Sequence, residues 1–390
     1  MKQTLALLKL FAGIHIARPR DALLLVAGFI LAAATLMVLL SIPAGLERIG
    51  QGTGHDDIAL VSGDTGLGEG SSNITPAQFN LLSVLPQTAR DAGGKPLASA
   101  QLIRTIKLEK ADGEKFSIQV RGIDATGWQL LGGAAIQGDI PKEGRREFLA
   151  GYLARQQFPK LASSDRLPIR GRSWRQKGQI NHGGNLWDSE IWADLSAMQA
   201  AFQAPSGYSV ALLKLKQPGD LDALNAAIQA EPRLAGLKAH RQSDYYQRQS
   251  GWLGRIMTRV AWGVSLLLGA GAALAIGNAL GTALERRRRE AGTLRALGFA
   301  NASIALASLA EVLLMAAFTS LAVWGLLYLA LNGREFGTSS GNHMIFAQLH
   351  LGWQVGLAVL GYTLLLGLLA ALLPIRRLSY GKLMDALRAA

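Results

Sequence analysis

Residues 283–300 read ALERRRREAGTLRALGFA, four consecutive arginines (Arg286 to Arg289) followed by a half-apolar stretch punctuated by Gly292 and Gly298. Long apolar runs lie on both sides. A charge cluster this dense stays in water or among lipid headgroups, so its neighbours decide the architecture. The windows 22–46, 260–284, a run ending at Asn332, and 350–375 contain no Asp, Glu, Lys or Arg. Roughly 20 apolar residues cross a bilayer as a helix. A soluble fold can bury one such helix, whereas four make an integral membrane protein. Some twenty residues precede the first run, which also exceeds the apolar core of a signal peptide, so it is expected to stay as an anchor.

Charge then orients the spans. Residues 1–21, 285–301 and 376–390 hold thirteen of the Lys and Arg residues, against Asp21, Glu285, Glu290 and Asp385. The connection 333–349 has Arg334 balanced by Glu335. Basic residues in short flanking segments stay on the cytoplasmic side. Both termini and the arginine loop are therefore expected inside, with 47–255 and 333–349 outside. The arginines also sit favourably beside anionic headgroups.

The expected order is a cytoplasmic segment 1–21, span 22–46, extracytoplasmic domain 47–255, span 256–284, cytoplasmic loop 285–301, span 302–332, short outside loop 333–349, span 350–375 and cytoplasmic tail 376–390. The fold class is an α-helical four-span bundle (one plus three) with a large extracytoplasmic α+β domain between spans 1 and 2.

The outside segment is too long for a loop. Residues 102–110 and 115–123 alternate around Asp112-Gly113, which predicts a β-hairpin. Residues 75–89 predict a helix capped by Thr75 with Pro76 at its first position. A strand is expected over 208–216 and a helix over 218–230, with Leu221, Leu224 and Ile228 on one face. A further strand is expected over 234–239. Helices are expected over 145–155 and 195–202, with turns at 181–185. The stretch 144–205 reads as an inserted subdomain.

Several chemistries are excluded. There is no cysteine, hence no disulfide, zinc-thiolate site or thiol nucleophile. No GxxxxGK[ST] occurs, since Gly93-Gly94-Lys95 runs into Pro96. No nucleotide hydrolysis is therefore expected of this chain itself. There is no HExxH or GxSxG, and the six histidines show no metal-ligand spacing. His182, among glycines, is expected to be a solvent-facing loop residue and not a ligand. No metal or cofactor is assigned to this chain. The densest basic cluster is used for topology, so nucleic acid is not an expected partner.

Glu311 stands out inside the third span. An ionisable group there is costly and points to function, or to a shallow position where the helix starts in the interface. Gly277 and Gly281 are a small-xxx-small pair that serves dimer packing or packing within one chain. After the arginines, Leu294 and Leu297 share one face of a short helix while Arg295 points elsewhere. Such a segment is too short to fold alone. It lies among headgroups or docks in a partner's groove.

At these residues the sequence resembles the FtsX/MacB-like permeases of ABC transporters. The likeness is carried by Glu285, Arg286, Arg287, Arg288, Arg289, Glu290, Gly292, Leu294, Arg295, Ala296, Leu297 and Gly298. Also matching are Glu311 in the third helix, Pro374-Ile375-Arg376-Arg377, and Asp385-Ala386-Leu387-Arg388. Gly144 with Glu147, Glu190 to Leu195 and Leu213 to Gly219 extend it into the outside domain. Ala291 departs from the family's usual isoleucine or valine.

The resemblance implies a permease in the bacterial inner membrane, paired with a second copy or a paralogue. ATP and Mg would be bound by a separate cytoplasmic ABC ATPase dimer. The 285–298 segment would be the coupling helix gripped by that ATPase. The outside domain would do mechanical work, driving export or extraction of a substrate. A periplasmic adaptor and an outer-membrane protein are compatible further partners, and membrane lipid surrounds the spans. The alternative reading is a non-transporting signal relay that activates an envelope hydrolase or a stress response. That subtype generally carries a smaller outside domain.

Overall fold

In the computed structural model, residues 19–63, 68–110, 113–132, 135–204, 207–286, 299–340 and 343–380 are described. The chain falls into two units. One comprises Gly45–Gly254 with Glu335–Gln348; the other comprises Met1–Ala44, Arg255–Arg334 and Leu349–Ala390.

In chain order the elements begin with α1 (Pro19–Gln51), β1 (Ile58–Gly63), α2 (Pro76–Ser83), β2 (Ala98–Glu109), β3 (Lys115–Ile123) and α3 (Ala125–Leu130). Then come β4 (Ala135–Gly138), β5 (Glu147–Gly151), α4 (Tyr152–Gln157), α5 (Pro159–Ser163), β6 (Arg166–Ile169) and β7 (Arg172–Asn181). They are followed by β8 (Ile191–Asp194), α6 (Leu195–Phe202), β9 (Val210–Lys214), α7 (Leu221–Ala230) and β10 (Leu237–Arg241). The chain ends with α8 (Gln242–Arg286), α9 (Asn301–Leu331), β11 (Glu335–Ser340), β12 (His343–Gln348) and α10 (Trp353–Tyr380).

Four helices, α1, α8, α9 and α10, are long and apolar enough to cross a membrane. A large α/β domain lies between the first and second of them. In the membrane-type unit, Phe29 of α1 packs with Ile276 of α8, Val312 of α9 and Ala371 of α10 in one buried cluster, and Leu36 and Met37 of α1 with Ala272 of α8, Val323 of α9 and Val359 of α10 in another. Leu267, Phe318 and Leu329 face outward at 70% exposure or more. An apolar exterior of this kind is stable only in lipid or against another apolar surface. Glycine supports the inner contacts. A Cβ on Gly269 would meet the Tyr362 hydroxyl at 2.2 Å. That hydroxyl donates to the Ser265 carbonyl at 2.5 Å.

The α/β domain is one sheet in the order β10-β1-β9-β2-β3-β8-β5-β7-β4, with β6 on β7. The β2–β3 hairpin pairs Leu108 with Phe116 and Ile106 with Ile118, as its alternation predicts. Gly113 at φ +85° supplies its turn. Thr75 and Gln78 cap α2 reciprocally, with Pro76 at its first position. The helix stops at Ser83, short of the expected Ala89, because Pro86 lacks an N–H and disfavours helix in the residue before it. Leu224 and Ile228 of α7 are buried against the sheet. The last strand begins at Leu237, since Pro232–Leu234 form a 3₁₀ turn.

Two expectations are corrected. Residues 145–155 are not one helix: β5 occupies Glu147–Gly151 and α4 follows. Phe148 to Gly151 are all buried between β7 and β8, and a strand covered on both faces reads as a continuous apolar run. A Cβ on Gly151 would lie 2.3 Å from the Asp188 carbonyl, so the strand ends on a glycine. The segment 333–349 is likewise not a plain loop. It forms the β11–β12 hairpin and is counted within the α/β domain. Met344 to Ala347 are buried, and Phe346 stacks edge-on with Phe158 at 5.7 Å. An apolar quartet outside the bilayer has to find a core. The Phe346 amide donates to Ser189 Oγ at 3.0 Å. The stretch 144–205 supplies β5 to β8, joined to the rest by parallel pairing of β8 with β3.

Candidate functional site

β3 carries Ile118, Val120 and Ile123 into the core, and among them Arg121 at 1% exposure. A charge so placed survives only if every donor is met. Arg121 Nε donates to Glu190 Oε2 at 2.6 Å and Nη2 to Glu190 Oε1 at 2.9 Å, a bidentate pair. Nη1 donates to Glu69 Oε2 at 2.8 Å and to Gln101 Oε1 at 2.9 Å. Nη2 reaches Glu69 Oε1 at 3.4 Å. The guanidinium also lies over the Trp192 ring, 5.5 Å from its centre.

The knot has two carboxylates and one guanidinium. Burial by itself would lower the Arg121 pKa, but Glu190 and Glu69 outweigh it and hold the group firmly charged. Burial pushes the Glu190 carboxyl above its ordinary range, with Arg121 pulling the other way. The knot draws in helix α8 through Tyr246, whose hydroxyl donates to Glu69 Oε2 at 3.2 Å. Burial raises that phenol well above its ordinary value, so it remains a donor. Removing one partner of such a buried pair costs about 3–5 kcal/mol, because a charge is left stranded.

Aromatic rings seal the knot. Trp187 meets Tyr246 edge-on at 5.7 Å and Trp192 at 6.0 Å. His182 packs on Trp187 at 5.1 Å, and its Nδ1 lies 3.2 Å from Asp188 Oδ1. The His182 side chain is 4% exposed. This corrects the solvent-facing expectation: Gly183 and Gly184, both at positive φ, fold the turn back so that Asp188 accepts the His182 and Gly184 amides. No group of three or more His, Asp and Glu residues able to hold a metal occurs among the described residues.

The ends of both flanking helices are tied to this region within the α/β domain. Gln242 Oε1, at the start of α8, accepts the His55 amide at 3.0 Å, and Ser243 Oγ donates to Asp56 at 2.5 Å. Beyond α1, the Gly52 carbonyl accepts from Asn185 and the Leu186 amide donates to Thr53 Oγ1, both at 3.0 Å. A Cβ on Gly50 would stand 1.7 Å from Ser250 Oγ, so the end of α1 and the start of α8 touch where only glycine fits.

The residues singled out from the sequence lie elsewhere. Glu285 is exposed near the end of α8, and Arg286 is that helix's last residue. Arg287, Arg288, Arg289, Glu290, Gly292, Leu294, Arg295, Leu297 and Gly298 fall outside the described residues. Glu311 is buried at 9% exposure, eleven residues into α9. Gly277 packs against the Ala370 backbone of α10 in the same chain, whereas a Cβ on Gly281 would meet nothing. Sequence reading missed Arg121, Glu69, Glu190 and Tyr246. The available signal was one arginine in an otherwise apolar, half-alternating strand, but its partners lie 52 and 69 residues away.

Residues 262–383 match the FtsX-like permease C-terminal family. Among solved structures, the periplasmic region of MacB from Actinobacillus actinomycetemcomitans is similar at 13% identity, covering 50% of this chain and 93% of that one with a TM-score of 0.36. The extracellular domain of the noncanonic ABC-type transporter YknZ from Gram-positive bacteria is similar at 12% identity, covering 47% and 99% with a TM-score of 0.32. No curated protein matches the chain. The permease match takes in α8 from Trp262 onward and all of α9 and α10, so that this C-terminal part of the chain is similar to the FtsX-like permeases.

Proposed function

We propose that this permease converts ATP hydrolysis in a separate cytoplasmic ATPase into movement of its α/β domain, and that this movement drives export or extraction of a substrate. One observation carries the reading. A single helix, α8, has Tyr246 bonded into the buried knot near its start and Arg286 as its last residue, next to the arginine-rich segment. At 1.5 Å per residue its 45 residues extend about 67 Å, roughly twice the hydrocarbon thickness. A helix of that length transmits a push or a twist only if its root is fixed. The Arg121 knot, together with the Gln242 and Ser243 contacts, supplies the fixing.

In this reading the 285–298 segment is gripped by the ATPase through Leu294 and Leu297, with the arginines keeping it at the cytoplasmic surface. Glu311 serves α9 within the membrane unit. The test is a pull-down of the tagged chain in detergent, wild type against Leu294→Asp/Leu297→Asp. The wild type is expected to retain a P-loop ATPase that the double variant loses. Equal retention by both would overturn the coupling assignment.

A further inference from the structure

The charge of the α/β domain is unevenly spread. Residues 140–180 hold ten Lys and Arg against three Asp and Glu, a net of +7. The rest of Gly45–Gly254 holds fourteen against eighteen, a net of −4. Some of these cations are used internally. Lys160 pairs with Glu109 at 3.4 Å and Lys177 with Asp139 at 2.9 Å. Arg155 donates to Gln179, and Arg170 lies over the Phe202 ring. Lys142, Arg145, Arg146, Arg166, Arg172 and Arg175 remain, all exposed and without an ion pair among the described residues.

Strand register gathers Arg166 and Arg175. β6 runs antiparallel to β7 with Leu167 opposite Trp174 and Arg166 opposite Arg175. Leu167 and Trp174 are buried, so the two arginines stand side by side on the other face. The Arg175 amide donates to the Arg146 carbonyl at 2.8 Å, which brings the 142–146 loop alongside. Like charges directly opposite each other on a sheet are destabilising. Protection of an edge strand does not require them, because Pro168 already blunts β6. Glu147 adjoins Arg175 in register, but its Oε2 accepts the Lys142 amide.

We infer that this face docks an acidic segment of a partner protein. Seven of the ten basic residues are arginine, whose planar fork matches carboxylates two bonds at a time. On this face the unpaired cations spread over a loop and two strands, with Arg166 beside Arg175 and the 142–146 loop alongside, whereas Arg172, three residues before Arg175, points to the opposite face. Carboxylates spaced along one chain answer that distribution better than the compact phosphate of a single headgroup.

The experiment places the full chain in nanodiscs of zwitterionic lipid and titrates it into a fluorescein-labelled peptide of alternating Glu and Thr, read by anisotropy. Binding is expected, weakening as salt rises from about 50 mM to about 500 mM. Arg166→Glu/Arg175→Glu is expected to weaken it about tenfold or more, and Arg166→Gln/Arg175→Gln by less. Lys95→Glu/Lys238→Glu makes the same charge change at exposed positions outside 140–180 and is expected to stay within about twofold of wild type. Unchanged tryptophan-fluorescence melting certifies that each variant is folded. Equal loss in both Glu pairs would overturn the proposal in favour of bulk charge. Capture of added phosphatidylglycerol vesicles with no binding of the peptide would overturn it in favour of a membrane surface. These outcomes do not depend on whether the ATPase coupling holds.

Discussion

Arg121 makes five hydrogen bonds inside the protein, to three side chains from three different parts of the chain. A buried ion pair stabilises little compared with an apolar replacement, but it fixes which groups face one another. Glu190 makes this testable. Its pKa is raised in the folded domain, chiefly by burial, so the native state holds that proton at pH values where the unfolded chain has released it. Stability from this group is therefore full below the ordinary carboxylate range and is lost as pH rises through the raised value. Glu190→Gln is expected to flatten that decline, most visibly as pH rises above the ordinary carboxylate range. The measurement is the melting temperature of the full chain in detergent by tryptophan fluorescence, which Trp187 and Trp192 report from beside the knot. A variant with the same slope as wild type would refute the assignment.

Among the elements, the contact between the end of α1 and the start of α8 depends most on side-chain size. Gly50 faces Ser250, whose Oγ and Cβ would lie 1.7 and 2.8 Å from an added Cβ. The Oγ could swing away, but the Cβ cannot, so Gly50→Ala has to push the helices apart. Overpacking of this sort costs about 1–3 kcal/mol. Ser250→Gly in the same chain is expected to restore most of the loss, beyond its own penalty of about 1 kcal/mol in a helix. Hydrogen exchange over residues 242–254 is the readout: faster in Gly50→Ala, slower again in the double variant. Additive losses would show that the two residues do not meet. The same scale explains the misread strand. β5 is apolar throughout because neighbours cover both faces, and periodicity cannot separate such a strand from a buried helix.

At the scale of the whole molecule, the chain combines a membrane-type unit of four apolar helices with an α/β domain, and the absence of cysteine makes its sidedness directly measurable. Ser164→Cys lies at an exposed position of the domain. In intact cells it is expected to react with an impermeant maleimide, and Ala291→Cys only after the membrane is opened. Reversed labelling would overturn the orientation drawn from the arginines. The basic face of residues 140–180 would then meet a different set of partners, so this experiment also bounds the docking inference.

The four spans, the cap at Thr75, the β2–β3 hairpin and the likeness to FtsX-like permeases were legible in the sequence, because each depends on neighbours within a turn or a strand or on runs of one solvent preference. The tertiary structure alone decided that Met344 to Ala347 complete the core of a domain begun nearly 300 residues earlier. It alone took His182 out of solvent, and it alone set Gly277 against Ala370. It also assembled Glu69, Arg121, Glu190 and Tyr246 into one buried knot. None of those pairings leaves a local pattern, since burial of a charge depends on long-range contacts that supply its counter-charge.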